Sequence, residues 1–399
     1  MGTNSGTAVT ARGVAAVALA LAAALGPSVA LGAWRLSAPT ALPAEGTPTS
    51  ASAVDNGAVV ELDATVEVYV AVDGNRPADG AIPGHLYDAR HSEFGLAQAL
   101  IGIVGRTEDA RGALRLWTGQ VPAQIYAGEK AQPVDWSLVQ EATVGTRVGT
   151  TAWIDAGLMP APFGFEQVQA RSNWLWSGSL LHVATPFYLM GGRVQWAASE
   201  ATTLEVGLYG GWNKIAASNV PSTFLARAFG SRSWGRWQLL VSTAPTRPEF
   251  SRAGTGAVRG WVVDGWLCAP LGAGYEVALQ VNGGVEAWQS AGDQRLANWG
   301  ALNAWARKTL DERWQLAARV GVFGQSGDTE VARGVLLGRP FWPTSRIAEA
   351  ALALQYRATD GLMLRAEGRV DHAADAIFMH ADGAAFQRPT VALGAIWSL

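Results

Sequence analysis

The chain has 399 residues, 49% of them hydrophobic, and its 30 basic and 33 acidic side chains leave a formal charge of −3. A nearly balanced chain with scattered arginines offers no basic footprint, so no nucleic-acid partner is expected. Cys268 stands alone, which excludes an internal disulfide and reads as a small buried apolar residue in the run Trp266-Leu267-Cys268-Ala269.

At the N-terminus Arg12 precedes an apolar stretch, 13–25, which ends in Gly26, Pro27 and the small-residue site Ser28-Val29-Ala30. That order reads as a secretory signal peptide over 1–30, since about thirteen apolar residues fall short of the roughly twenty that span a bilayer as a helix. No cysteine follows it, so a lipoprotein anchor is not expected. Residues 31–57 are rich in Ala, Pro, Ser and Thr without periodicity and read as a flexible periplasmic tail. No later apolar run reaches helix-spanning length, so a membrane-bound form must cross with strands.

From 58 to 399 the chain reads as one all-β unit. In the first segment Val60, Leu62, Ala64, Val66, Val68 and Val70 alternate with Glu61, Asp63, Thr65, Glu67 and Tyr69. Alternation apolar to polar over a stretch this long predicts a two-faced strand. Further strands are predicted at 92–105, 110–119, 138–148, 151–160, 189–199, 202–213, 223–230, 235–243, 258–268, 274–283, 297–308, 314–324, 346–358, 361–371 and 388–399. The plainest is 361–371, in which Leu362, Leu364, Ala366, Gly368 and Val370 share one face and Arg365, Glu367, Arg369 and Asp371 the other.

Connections between these strands alternate short and long. The short ones fall at 106–109, 149–150, 200–201, 231–234, 269–273, 309–313 and 359–360, with long loops between them. Short turns on one rim and long loops on the other predict a transmembrane antiparallel up-and-down β-barrel of about sixteen strands, with periplasmic turns and extracellular loops. Strand direction then follows from parity. On the apolar face Trp196, Trp237, Tyr275, Trp314, Tyr356 and Trp397 fall near the short-turn rim, and Trp212 and Trp261 near the long-loop rim, as a pair of aromatic girdles at the lipid boundary would. A soluble β-sandwich would explain the alternation but neither the loop asymmetry nor the sorted aromatics.

The polar face would line the lumen. Glu61, Asp63, Glu67, Arg193, Arg307, Arg319, Arg357, Arg365, Glu367, Arg369 and Asp371 are the expected pore-lining charges, since so many ions in a dry core would each cost several kcal/mol. The longest connection, 161–188, holds Phe163, Phe165, Trp174, Trp176 and Phe187 and is predicted to fold into the lumen. Glu166, Arg171 and Asn173 would then be its constriction residues.

The stretch from Ala156 to Glu166, then Asn173-Trp174-Leu175-Trp176-Ser177-Gly178-Ser179-Leu180-Leu181, Pro186-Phe187-Tyr188 and Gly191-Gly192-Arg193, resembles the signature region of the β-barrel porins called OmpL-like. Tyr87-Asp88-Ala89-Arg90-His91-Ser92-Glu93-Phe94 and the run from Leu364 to Asp371 extend the resemblance over most of the chain. It implies a bacterial outer-membrane channel without enzyme activity, cofactor or metal. Members end in an aromatic residue, whereas this chain ends Ile396-Trp397-Ser398-Leu399, so recognition by the barrel-assembly machinery would rest on Trp397 and Leu399.

The expected function is passive diffusion of small hydrophilic solutes or ions, with outer-membrane lipid as surroundings and a homotrimer open to a barrel of this size. The alternatives are a barrel enzyme of lipase or protease type and a non-conducting structural or adhesive barrel. For the enzyme, His182 near Ser179 and His372 beside Asp371 are the candidate pairs, but adjacent residues of a strand face opposite sides.

Overall fold

The computed structural model describes residues 59–127, 129, 135–215, 223–245, 259–290, 293–326, 330–332, 335–337 and 341–399. The expected signal peptide and tail lie outside the described residues. Sixteen strands form one closed barrel, numbered here as β1 Val59–Asp73, β2 Phe94–Arg106, β3 Ala110–Thr118, β4 Val139–Val148, β5 Ala152–Pro160, β6 Tyr188–Ser199, β7 Thr202–Tyr209 and β8 Thr223–Arg232, then β9 Gly235–Pro245, β10 Arg259–Gly272, β11 Tyr275–Ser290, β12 Asp293–Thr309, β13 Trp314–Gln325, β14 Arg346–Thr359, β15 Leu362–Ala373 and β16 Gln387–Ser398. Each pairs antiparallel with its chain neighbours, and β16 returns to β1 from Thr65↔Ser398 to Asp73↔Thr390. Closure leaves no unpaired edge, which is the condition for strands to cross a bilayer.

Burial follows the period of two, inverted relative to a soluble protein. Along β15 the charged Arg365, Glu367, Arg369 and Asp371 are buried inside the barrel, while Leu364 and Val370 face outward. Val263, Val320, Leu352 and Leu393 continue the outward apolar belt. A soluble sandwich would bury those side chains between two sheets, so the closed barrel removes that alternative.

The tight turns 107–109, 149–151, 200–201, 233–234, 273–274, 310–313 and 360–361 share one rim. On the other rim one connection departs from expectation. The sequence predicts a long loop between 283 and 297, but β11 and β12 keep pairing out to Ser290↔Asp293 as a long hairpin.

The interior is filled from the long-loop side. The 161–187 connection enters the barrel and buries Trp174, Leu175, Trp176, Leu180 and Leu181. Segment 74–93 covers it with buried His85, Leu86 and Tyr87, and a short helix, α1 Gln120–Ile125, packs Val121 and Ile125 beside it. Tyr126, just after α1, stacks on Tyr188 with centroids 4.4 Å apart.

Candidate functional site: the lumen and its inserted loop

A long irregular segment carries backbone amides and carbonyls with no ladder partners, and inside a barrel these must be met by the wall. The inward charges of β15 do this in order. Arg365 donates to the carbonyls of Ala170, Asn173 and Leu175 at 3.2, 2.9 and 2.7 Å. Glu367 accepts from the amides of Trp176 and Ser177 and from the Ser177 hydroxyl. Arg369 donates to the Gly178 carbonyl at 2.7 Å, and Asp371 accepts from Arg369 and Arg388, each at 2.7 Å.

Neighbouring strands complete the cradle. Glu67 of β1 accepts from the amides of Ala170 and Arg171 at 3.3 and 2.9 Å, and Glu349 of β14 from the amide of Leu180 at 3.1 Å. Arg319 of β13 donates to the Ser177 carbonyl at 2.6 Å and to Glu166 at 3.0 Å. Across the lumen, Asp264 accepts from the Gly164 amide at 3.1 Å and Gln238 donates to the Pro162 carbonyl at 2.7 Å. Apolar packing fixes the same loop: Phe165 sits 5.2 Å from Trp174 and 5.1 Å from Trp305, centroid to centroid. Trp176 lies flat over Gly394, where a Cβ would stand 2.3 Å from its ring.

Segment 74–93 seals the upper side. The Tyr87 hydroxyl donates to the Gln167 carbonyl at 2.7 Å and lies 3.2 Å from His182 Nε2, and burial pushes this phenol well up. Burial also lowers the His182 imidazole. Burial alone would raise the Asp88 carboxyl, but His85 at 2.9 Å, with Arg369 and Arg388, holds it below its ordinary range.

This geometry corrects several expectations. Glu166, Arg171 and Asn173 do not face an open passage: Glu166 is tied to Arg319, Arg171 pairs with Asp63 at 2.7 Å, and Asn173 staples the loop to itself through the Gln167 amide at 2.8 Å. Glu67, Arg319, Arg365, Glu367, Arg369 and Asp371 are likewise sealed under the loop instead of lining water, because its polar backbone has taken the place of solvent. Glu61 pairs with Arg106 at 2.5 Å and Arg357 is exposed, both toward the short-turn rim. Arg307 pairs with Glu276 and lies 4.7 Å over the Trp174 ring.

Arg193 belongs to a band on the opposite wall. Arg111 donates to Asp155 at 2.6 Å and to Gln195 at 2.6 Å, Arg193 reaches Asp155 at 3.0 Å, and Arg227 meets Glu205 at 2.8 Å and Gln238 at 3.0 Å. Arg111 and Arg227 were not among the expected site residues, although Arg111 shares the face of Arg115 four residues on and Arg227 fits the alternation of β8. Arg111 keeps 32% of its side chain exposed, unlike the sealed arginines of β15.

Of the aromatic set, Trp196, Trp261, Tyr275, Trp314 and Trp397 are exposed on the outer face, and Trp237 and Tyr356 are half-buried there. Trp314 and Tyr356 pair with centroids 4.6 Å apart. Trp212 is the exception. It follows the end of β7 and turns inward onto Phe163, centroids 5.3 Å apart, so it joins the interior packing and not the lipid boundary.

The family model described as "Putative beta-barrel porin-2, OmpL-like" matches residues 59–399. The chain belongs to this porin family. The porin is also similar in fold to the outer membrane channel DcaP of Acinetobacter baumannii, with TM-score 0.57 and 12% identity over 86% of this chain and 98% of that one. An anion-selective porin from Comamonas acidovorans is similar at TM-score 0.55 and 11% identity, over 86% and 100% of the two chains. The trimer form of OmpT from Vibrio cholerae is similar at TM-score 0.54 and 7% identity, over 86% and 99%. No curated protein matches the chain.

Family and fold together make this porin an outer-membrane channel protein. The candidate enzyme residues are used otherwise. Ser179 Oγ accepts from the backbone amide of His182 at 3.0 Å while the imidazole points to Tyr87. Asp371 faces inward and His372 outward, and the histidine beside Asp371 is His85 at 3.5 Å, which the sequence reading missed because it comes from a distant loop. Among the described residues, no group of His, Cys, Asp and Glu is placed to hold a metal ion.

Proposed function

We propose that the porin is a passive diffusion channel for small hydrophilic solutes and ions, with the long-loop rim outward and the 161–187 loop setting the width of the lumen. The observation that carries this reading is the one-sided docking of the loop. It engages Glu67, Arg319, Glu349, Arg365, Glu367 and Arg369, while the Arg111–Asp155–Arg193–Glu205–Arg227 band occupies the facing wall beside a cavity of about 650 Å³. A mixed-charge wall beside water lets polar solutes shed part of their hydration without a chemical step.

Trp397 and Leu399 at the end of β16 form the proposed signal for the barrel-assembly machinery, and a homotrimer accords with the trimer form of OmpT. Cross-linking in outer membranes followed by electrophoresis reads the assembly. Reconstitution in planar bilayers tests the channel: stepwise conductance is expected, with larger steps after deletion of 166–180. Silent bilayers for both proteins would overturn the reading in favour of a non-conducting barrel.

A further inference from the structure

We infer that the porin holds a subsite for small organic carboxylates in the short-turn end of its lumen, built on Arg236 and Trp266. The inference rests on the channel reading only for its role, since the subsite itself is a matter of equilibrium binding. The cavity of about 650 Å³ lies between the base of the inserted loop and the inner faces of β7 to β10. That is within the usual range for small organic ligands.

Among hydroxyls and amides its lining holds the guanidinium of Arg236. Among the described residues Arg236 has no carboxylate partner, and its hydrogen-bond partner is the thiol of Cys268 at 3.8 Å, a weak acceptor. Trp266 lines the same space, with its indole N–H turned away from it. Arg227 is buried with its terminal nitrogens given to Glu205 and Gln238, so it offers no free donor to the space. Elsewhere on the wall Arg193, Arg307, Arg319, Arg369 and Arg388 each meet a carboxylate, and Arg365 gives its terminal nitrogens to loop carbonyls and Gln355. Glu200, the acid among the lining residues, is exposed on the turn 200–201.

A guanidinium at the wall of a cavity, held among the described residues only by a thiol, calls for an acceptor that carries negative charge. A carboxylate fits the planar fork of Arg236 with both oxygens. The rest of the lining favours an apolar body behind that carboxylate. Phe229, Pro162 and Ala161 supply carbon, and Arg227 already covers one face of the Phe229 ring at 4.3 Å. An aromatic or short-chain monocarboxylate satisfies both ends.

Titration calorimetry on the detergent-purified full chain tests this with benzoate, and with benzyl alcohol as the neutral analogue. Saturable benzoate binding is expected, at least tenfold weaker in Arg236→Gln, less weakened in Arg236→Lys, and reduced in Trp266→Phe. Benzyl alcohol binding as tightly as benzoate, or Arg236→Gln binding like the parent, would overturn the subsite. Bilayer recordings on the same preparations separate the two claims: conductance without benzoate binding removes the subsite and leaves the channel, and binding without conductance supports the subsite and removes the channel.

Discussion

Arg319 of β13 donates to Glu166 of the inserted loop at 3.0 Å, with both side chains shut away from solvent. The same guanidinium meets Glu349 at 3.0 Å, so one arginine neutralises a wall carboxylate and a loop carboxylate together. Removing one partner of such a buried pair costs about 3–5 kcal/mol, because the remaining charge is stranded. Lifting the loop into water is the way the molecule avoids that cost. Arg319→Ala is therefore expected to conduct in larger and noisier steps while the barrel stays folded by heat-modifiable electrophoresis. Steps of unchanged size in a folded variant would show that this pair does not hold the loop.

Charge reversal should separate docking residues from lumen residues. Arg369 lies between Asp371 at 2.7 Å and Glu349 at 3.1 Å, so Arg369→Glu would set three carboxylates together under the loop. The expected outcome is lower thermal stability by circular dichroism with ion preference nearly unmoved in those channels that remain closed over. Arg111→Glu, on the more open wall, should instead shift the reversal potential in a salt gradient toward cation preference. A larger selectivity change for Arg369→Glu than for Arg111→Glu would reverse this division.

Gly394 offers a test that leaves every charge in place. Its inward position on β16 has no side chain, and the Trp176 ring fills the space that a Cβ would need, 2.3 Å from the ideal Cβ position. The neighbour is a rigid indole, so Gly394→Val must displace Trp176 or distort β16. Displacement also pulls the amides of Trp176 and Ser177 from Glu367. Enlarged conductance like that of Arg319→Ala is expected, and recovery of the parent conductance in the double variant Gly394→Val with Trp176→Ala would locate the effect in this one contact.

The strands were legible because a bilayer forces alternation: Leu364 and Val370 must face out and Arg365 and Asp371 in, whatever fills the lumen. The same argument fixed the side but not the surroundings. A charge at an inward position reads identically whether it meets water or the backbone of a folded-in loop, so Arg365, with three loop carbonyls on its guanidinium, looked like a pore residue. Gly394 was silent for a related reason, since an absent side chain has meaning only once Trp176 is seated on it. Trp212 misled because β7 ends at Tyr209, and past the end of a strand parity no longer says which way a side chain turns.

Protonation of His182 gives the docking a pH dependence. Burial holds the imidazole below its ordinary value near 6.5; Glu166 acts against the shift and Arg319 with it. The docked ring is neutral, 3.2 Å from the Tyr87 hydroxyl and 5.4 Å from the Phe187 ring, centroid to centroid. A lifted loop returns the ring to water, where it takes up a proton at its ordinary pKa. Docking is therefore at full strength above pH about 6.5, weakens as pH falls below that, and stops weakening once the docked ring also protonates. Each unit between the two values is worth about 1.4 kcal/mol, a tenfold change in the docked-to-lifted ratio. Larger or more frequent open steps are expected near pH 5.5 than near pH 7.5 (about one unit on either side of the ordinary value), and His182→Gln, which cannot titrate, should remove the difference. An unchanged pH response in that variant would assign the titration to another group and leave His182 as packing alone.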